Sequence, residues 1–288
     1  MLTARAFGKI NLTLEITACR EDGYHELATV MQSVSLADTV MLEACEEGPC
    51  VCCDGGIPAD ETNTVFRAIE AFAAFCDNPD YRRVKITVEK HIPSQAGMGG
   101  GSADAAAVLV LLNRHFGTNL PKETLCAIGK TIGADVPFCI VGGTQLCTGI
   151  GEILSPLTPL PRCLIVLCKP PKGVSTREAF ACADSGEYAS GEATRHMESA
   201  LAERSLAKIG GGLQNDFERL VPLEEIKQIR NVLRENGALG ARMTGSGSVV
   251  YGIFDSPDAA VKAAQALRKA GKVFLAAPSP CGVDVIDG

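Results

Sequence analysis

Pro93-Ser94-Gln95-Ala96-Gly97-Met98-Gly99-Gly100-Gly101-Ser102-Ala103-Asp104-Ala105-Ala106-Ala107 is the stretch around which the rest of the chain is read. Upstream, Val84, Ile86 and Val88 alternate with Lys85, Thr87 and Glu89, the pattern of a half-buried strand. Downstream, Ala103 to Phe116 is rich in Ala and Leu and ends at Gly117, the pattern of a helix with a glycine stop. Between them stand four glycines in five residues, and Ser102 occupies the position expected of an N-cap. Glycines let backbone approach an anion, free N–H groups point at it, and a helix N-terminus favours its charge. A tight strand-to-helix turn would need fewer glycines, so the stretch favours phosphate binding over a plain turn.

The totals narrow the function classes. A chain of 288 residues suits two modest domains, and 46% hydrophobic residues supply their cores. A net charge of −7 argues against broad electrostatic binding of nucleic acid. There is no tryptophan and there are four tyrosines, so stacking platforms for bases are few. Thirteen scattered cysteines, an odd number, do not form a secreted disulfide framework. Met1 to Lys9 has no apolar signal core, and no stretch approaches a membrane span. The expectation is a soluble protein of a reducing cytoplasm with no membrane partner.

Outward from the glycine stretch, Ile10, Leu12, Leu14 and Ile16 alternate with Lys9, Asn11, Thr13 and Glu15, which reads as one strand with one apolar face. Lys9 and Asn11 then share the polar face, where a lysine is ordinarily just solvated. Asp22-Gly23 signals a turn that closes a hairpin between strands 10–16 and 26–36, with Tyr24 and His25 just beyond it. Such a pair is commonly structural and can equally line a cleft. Val65 to Phe75 and Leu120 to Thr131 read as helices. Gly129-Lys130-Thr131 resembles the end of a Walker A loop, but Thr124 stands where its first glycine belongs. Asp135 precedes Val136-Pro137, and because proline pushes the residue before it towards extended backbone, a turn aspartate bonding its own backbone is the default reading. Cys45, Cys50, Cys52 and Cys53 lie close together, but their spacing does not match the paired knuckles of zinc sites.

Pro156, Pro159 and Pro161 suggest a boundary, giving domains 1–158 and 159–288. The second half reads as an α+β pattern: a strand at Cys163–Cys168, a helix at Val174–Ala183, a loop at Ser185–Gly191 and a helix at Leu223–Glu235. Arg242 to Phe254 then forms a glycine turn and strand, followed by a helix from Asp258 to Ala270 and a last strand at Val273–Ala276. If the glycine stretch holds a triphosphate, transfer needs a cation, Mg2+ and a carboxylate at the acceptor hydroxyl. Lys9 and Asp135 are candidates for the cation and the carboxylate, although spacing alone does not bring them together.

Pro93-x3-Gly97-Met98-Gly99-Gly100-Gly101-Ser102-Ala103-Asp104-Ala105 resembles the phosphate loop of the GHMP kinases (galactose, homoserine, mevalonate and phosphomevalonate kinases and relatives). Gly245-Ser246-Gly247-Ser248 resembles their C-terminal glycine motif. Lys9-Ile10-Asn11-Leu12, Asp22-Gly23-Tyr24-His25-Glu26-Leu27, Gly133-Ala134-Asp135-Val136-Pro137-Phe138 and Gly149-x-Gly151-Glu152 resemble the branch that phosphorylates the 2-hydroxyl of 4-diphosphocytidyl-2-C-methylerythritol in the non-mevalonate isoprenoid pathway.

The resemblance implies an α+β two-domain GHMP kinase fold: a ribosomal S5 domain 2-like N-terminal domain, a ferredoxin-like C-terminal domain, and the active site in the cleft between them. ATP and Mg2+ are the implied cofactors, a cytidine diphosphate derivative the small-molecule substrate, and a monomer or weak homodimer the assembly. Asp135 is implied as the base and Lys9 as the cation beside it. Pro93, Ser94, Gln95, Ala96, Gly97, Met98, Gly99, Gly100, Gly101, Ser102 and Ala103 are implied to wrap the nucleotide, with Asn63 and Lys90 near its base. Asn11, Tyr24, His25 and Phe180 are implied to bind the substrate. No protein metal ligand is assigned. Met98 stands where the family usually has leucine and Asp104 where some members have asparagine, changes that both sites tolerate.

Two other readings remain. One is a kinase of another small alcohol, or a decarboxylase that first phosphorylates; it gives Tyr24-His25 no role. The other is a non-catalytic metal- or redox-linked binding protein, which would use the cysteines.

Overall fold

The computed structural model describes residues 1–54, 60–173, 176–184, 187–220 and 223–286. Val174, Ser175 and Ser185, which belong to an expected helix and loop, lie outside them. The elements of the first half are β1 (Leu2–Cys19), β2 (His25–Ala44), β3 (Cys50–Cys53), α1 (Thr64–Phe75), β4 (Val84–Glu89), α2 (Gly100–His115), α3 (Lys122–Ile132), α4 (Val136–Val141), β5 (Thr144–Thr148) and β6 (Ile153–Pro156). Those of the second are β7 (Leu164–Lys169), α5 (Thr176–Ala181), α6 (Glu192–Ala202), α7 (Leu206–Gly211), β8 (Gln214–Asn215), α8 (Phe217–Leu220), α9 (Glu224–Glu235), β9 (Gly240–Met243), β10 (Val250–Phe254), α10 (Pro257–Ala266), β11 (Lys272–Ala276) and β12 (Val283–Ile286). Among the described residues no helix is long and apolar enough to cross a membrane.

Two sheets organise the chain. The first runs β12-β1-β2-β4-β3, with β5 and β6 extending from β2 and the short β8 on β1. The second is antiparallel, β11-β7-β10-β9. The hairpin at Asp22-Gly23 joins β1 to β2 as the sequence predicts. Helix α2 is apolar nearly all round: Ala103, Ala105, Ala106, Ala107, Val108, Leu109, Leu111 and Leu112 are all fully buried. Such a helix must be covered on every side, and β1, β2, α1, α3 and α4 pack around it. Fully burying each of its larger side chains contributes roughly 1.5–3 kcal/mol.

The single apolar face expected for residues 10–16 is corrected. Ile10 and Leu12 join the core beneath α2, whereas Leu14 and Ile16 join a second core with Val166, Met243 and Val250 of the other sheet. The cause is an irregularity in β1: its register against β2 shifts between Asn11 and Thr13, and a bulge re-aims the residues beyond it. One long strand thereby serves both cores. Its polar positions are not solvated either. Lys9, Asn11, Thr13 and Glu15 are all buried. Glu15 accepts hydrogen bonds from the Ala193 and Thr194 amides at the start of α6, where a helix favours negative charge. Thr13 and Thr194 share a hydroxyl hydrogen bond of 3.0 Å.

Three other expectations change. Helix α2 begins at Gly100 with Gly99 as its N-cap, so Ser102 lies inside the first turn and is not the cap. Val136 is helical, not extended, because Pro137 sits in the first turn of α4, where a missing N–H costs no intrahelical bond. The strand 273–276 is not the last: β12 follows and returns to the first sheet beside β1.

Candidate functional site

A cleft of about 560 Å3 lies where the two sheets meet. Its walls come from Lys9 and Asn11 on β1, Thr29 and Met31 on β2, the loop 92–102, Asp135 before α4, and Phe180, Phe217, Gly245 and Ser246 of the second half.

The glycine loop is held open towards this cleft by its own backbone. Gly97 has φ +71°, and a Cβ built there would lie 2.0 Å from the Thr244 carbonyl oxygen. The loop presses there against the C-terminal glycine motif: Thr244 Oγ1 donates to the Gly97 carbonyl and the Val249 amide to the Ala96 carbonyl. Gly99, at φ +69°, offers no side chain to cap α2. The first N–H groups of a helix lack intrahelical partners, and here none is satisfied by a capping side chain, an arrangement that can serve as an anion cradle. We predict that Gly97→Ala lowers stability by on the order of 2–3 kcal/mol through left-handed strain and the Thr244 clash, read as a fall in melting temperature.

Lys9 and Asp135 do meet. The Lys9 ammonium lies 3.7 Å from Asp135 Oδ2 and donates to Asn11 Oδ1 at 2.8 Å. Both line the cleft, and with the Lys9 side chain 5% exposed and that of Asp135 32%, the carboxylate is the more accessible member of the pair. The default reading of Asp135 as a self-bonded turn aspartate is corrected: its side chain makes no capping bond to α4. A Cβ at Gly99 would lie 3.2 Å from Lys9 Cγ and 3.7 Å from Asp135 Oδ2, so the anion cradle and the ion pair face each other directly.

Asn11 holds this arrangement. Its Oδ1 accepts from Lys9, Thr244 Oγ1 and the Gly245 amide, and its Nδ2 donates to Thr29. Tyr251, fully buried, donates to the Asn11 carbonyl. Asn215 donates to the Met243 and Gly245 carbonyls and so fixes the C-terminal glycine turn. Thr244 and Asn215 are absent from the sequence-based site because their partners lie far away along the chain. The Gly245-Ser246-Gly247-Ser248 motif next to Thr244 was the available signal.

Lys90 lines the cleft with its charge already engaged by two buried carboxylates, Asp38 and Asp104. Asp38 also accepts from the His91 and Ile92 amides. Asp104 lacks such backbone donors, and burial raises its pKa to about 7 despite Lys90. Raised above its unfolded value, this group makes the folded state bind the proton more tightly, so its contribution to stability falls as pH rises from roughly 4 to about 7. We predict that Asp104→Asn gains stability relative to the wild type across that window, measured by urea unfolding at several pH values. Asn63 caps α1 through the Val65 amide and lines the same end of the cleft.

At the opposite end, His25 is buried and stacks on Phe180 at 5.3 Å between ring centroids, and Phe180 meets Phe217 edge-on at 4.9 Å. Phe180 lines the cleft and His25 stands behind it. Tyr24 is 59% exposed and lies outside the lining residues.

Among the described residues, Cys45, Cys50, Cys52 and Cys53 do not form a grouping of three ligand atoms that could hold a metal. Cys50 and Cys52 are exposed on one face of the edge strand β3, with Val51 and Cys53 on the other, and all thirteen thiols are free. Burial pushes the Cys163 thiol up to about 12 and raises Cys139 and Cys168 as well, which leaves them neutral and unreactive.

Family models for the GHMP kinases N terminal domain and the GHMP kinases C terminal region match residues 63–143 and 197–273. The chain belongs to the GHMP kinases. As a GHMP kinase it is a small-molecule kinase with ATP as phosphoryl donor. This GHMP kinase is 40% identical to 4-diphosphocytidyl-2-C-methyl-D-erythritol kinase of Caldicellulosiruptor saccharolyticus, over 94% of this chain and 93% of that one. It is 37% identical to the enzyme of the same name from Clostridium botulinum, over 88% and 91%. A solved 4-(cytidine 5'-diphospho)-2C-methyl-D-erythritol kinase superposes with a TM-score of 0.76 at 33% identity, covering 96% of this chain and 99% of that one. A homoserine kinase from Cytophaga hutchinsonii, at 20% identity and a TM-score of 0.79 over 99% and 97%, shares the two-domain fold.

Proposed function

We propose that this GHMP kinase transfers the γ-phosphoryl group of ATP to the 2-hydroxyl of 4-diphosphocytidyl-2-C-methyl-D-erythritol, a step of the non-mevalonate isoprenoid pathway. The observation that carries the reading is the Lys9–Asp135 pair facing the glycine loop across one cleft, in a chain about 40% identical to kinases named for that substrate.

Pro93 to Ala103 cradle the ATP phosphates, with Asn63 and Lys90 at the nucleotide's base end. Asp135 accepts the acceptor's hydroxyl proton. Lys9 pairs with that carboxylate and offsets charge on the transferring group. The loop has no lysine of its own, so Lys9 supplies the cation that Walker loops carry internally. Asn11 positions Lys9 and borders the acceptor. Phe180, His25 and the exposed Tyr24 at the rim receive the cytosine, a role that uses the few aromatics this chain has.

The donor set also fits Mg2+. It binds through few protein oxygens and keeps phosphate and water ligands, and the Ser102 hydroxyl and the Asp135 carboxylate are groups of that kind in the cleft lining. When bound, Mg2+ would neutralise charge on the β- and γ-phosphates. The Asp104 carboxylate, which also lines the cleft, is engaged by Lys90 through Oδ2.

The test is a coupled ADP-release assay with the cytidine substrate, mevalonate and homoserine in parallel. Turnover with the cytidine substrate alone is expected; turnover with either of the others and none with it would overturn the substrate assignment.

A further inference from the structure

At the end of the β1–β2 hairpin, His25 of the proposed cytosine pocket belongs to a donor set whose other two members have no role in phosphoryl transfer. Cys19, the last residue of β1, is the cross-strand partner of His25, the first of β2, so their side chains stand together. Asp184, just beyond α5, reaches the same point: its Oδ1 lies 3.1 Å from His25 Nε2. One ligand atom from each of the three, the Cys19 sulfur, an imidazole nitrogen and a carboxylate oxygen, lie within 4.8 Å of one another. Among the described residues this is the one such grouping of three.

A second observation concerns His25 itself. Its side chain is 4% exposed, yet Nε2 has no hydrogen-bond partner. The contact with Asp184 is close but lacks hydrogen-bond geometry, so a buried ring nitrogen points between a carboxylate and a thiol with nothing bound to it. Leaving such an atom unpaired is costly, and a cation would satisfy it. Two ligands about 2.0–2.1 Å from a tetrahedral zinc ion stand roughly 3.3 Å apart, close to the separation of His25 Nε2 and Asp184 Oδ1. Cys19 is exposed at a strand end, where a side-chain rotation brings its sulfur inward.

We propose that Cys19, His25 and Asp184 bind a borderline divalent cation of the Zn2+ type, with water in the fourth position, and that the bound ion closes the cytidine end of the cleft. Sulfur, imidazole and carboxylate together suit zinc better than Mg2+, which prefers oxygen alone. On binding, the Cys19 thiol releases its proton to solvent and neutral His25 supplies the Nε2 lone pair. Closure follows from the packing. The ion ties the end of α5 to the hairpin and fixes His25 against Phe180, the ring that lines the cleft. A pyrimidine entering there must part or displace that stack. The gating half of this proposal rests on the cytidine reading of the cleft; the binding half does not.

The experiment uses the reduced full-length chain and Co2+ as a spectroscopic probe. The wild type is expected to develop a thiolate-to-cobalt charge-transfer band with tetrahedral d–d absorption. Cys19→Ser should lose that band and Asp184→Asn should weaken binding by at least about tenfold, while a Cys50→Ser/Cys52→Ser variant keeps the wild-type spectrum. A band that survives Cys19→Ser, or that disappears with the Cys50 and Cys52 substitutions, overturns the site. In a second arm, Zn2+ is expected to weaken binding of cytidine diphosphate to the wild type and not to Cys19→Ser; because the ligand chelates metal equally in both samples, the comparison isolates the protein. Equal weakening in both proteins, or none in either, overturns the gating. If cytidine diphosphate fails to bind metal-free protein, the substrate reading has failed, and the cobalt result still decides the site.

Discussion

Asp135→Asn is expected to lower kcat by about 10²–10⁴-fold, the range for removing a general base, with melting temperature unchanged. The separation of the two effects follows from local structure. Asparagine has the same shape as aspartate and can still accept from Lys9, but it cannot take a proton from a hydroxyl. The Asp135 side chain makes no capping bond to α4, so the helix loses nothing on substitution. Its 3.7 Å contact with Lys9 is long, and Lys9 keeps its shorter bond to Asn11. ATP binding should also persist, since the glycine loop is held by Thr244 and the Val249 amide and not by Asp135. Stopped-flow phosphoryl transfer in a single turnover, alongside thermal melting, measures both quantities. A variant that retains near-normal turnover removes Asp135 from the chemistry and leaves Lys9 without its proposed purpose.

The parts of this site that could be read in the chain are those whose chemistry is local. Four glycines beside a helix start describe an anion cradle wherever they stand, and Asp22-Gly23 closes the same hairpin in the structure that it suggests in the sequence. Contacts made across the fold were not legible. Alternation along residues 10–16 cannot reveal a register shift at Asn11–Thr13, because the shift is set by pairing with Met31 and Val30. Burial of Lys9 and Glu15 depends on α6 and the Thr244 turn, which lie some two hundred residues away. The helix start at Gly100 went unread because a serine N-cap is the ordinary signal, whereas here left-handed glycine backbone performs the same turn and leaves the amides free. Tyr24 and His25 are adjacent in sequence and separate in the structure: Tyr24 ends the turn and is exposed, whereas His25 opens β2 and is buried against Phe180.

Lys90→Met should destabilise the protein by about 3–5 kcal/mol, the cost of breaking a buried ion pair by deleting one partner. The lost charge leaves two carboxylates behind, and they are not equivalent. Asp38 keeps the His91 and Ile92 amides as donors and can remain ionised. Asp104 keeps nothing of that kind, and its pKa is already raised to about 7 with Lys90 in place. The penalty therefore falls mainly on Asp104. Protonation is the escape open to it, and protonation becomes more costly as pH rises, so the loss of stability in Lys90→Met should be smaller near pH 5 than near pH 8. Adding Asp104→Asn to Lys90→Met should recover most of the loss and flatten its pH dependence. Urea unfolding of the four proteins of this cycle at two pH values measures the coupling. Asp104 and Lys90 flank the first turn of α2, so recovery would assign this triad to holding the phosphate cradle against β2. A double variant as unstable as Lys90→Met, at both pH values, would place the cost on Asp38 instead.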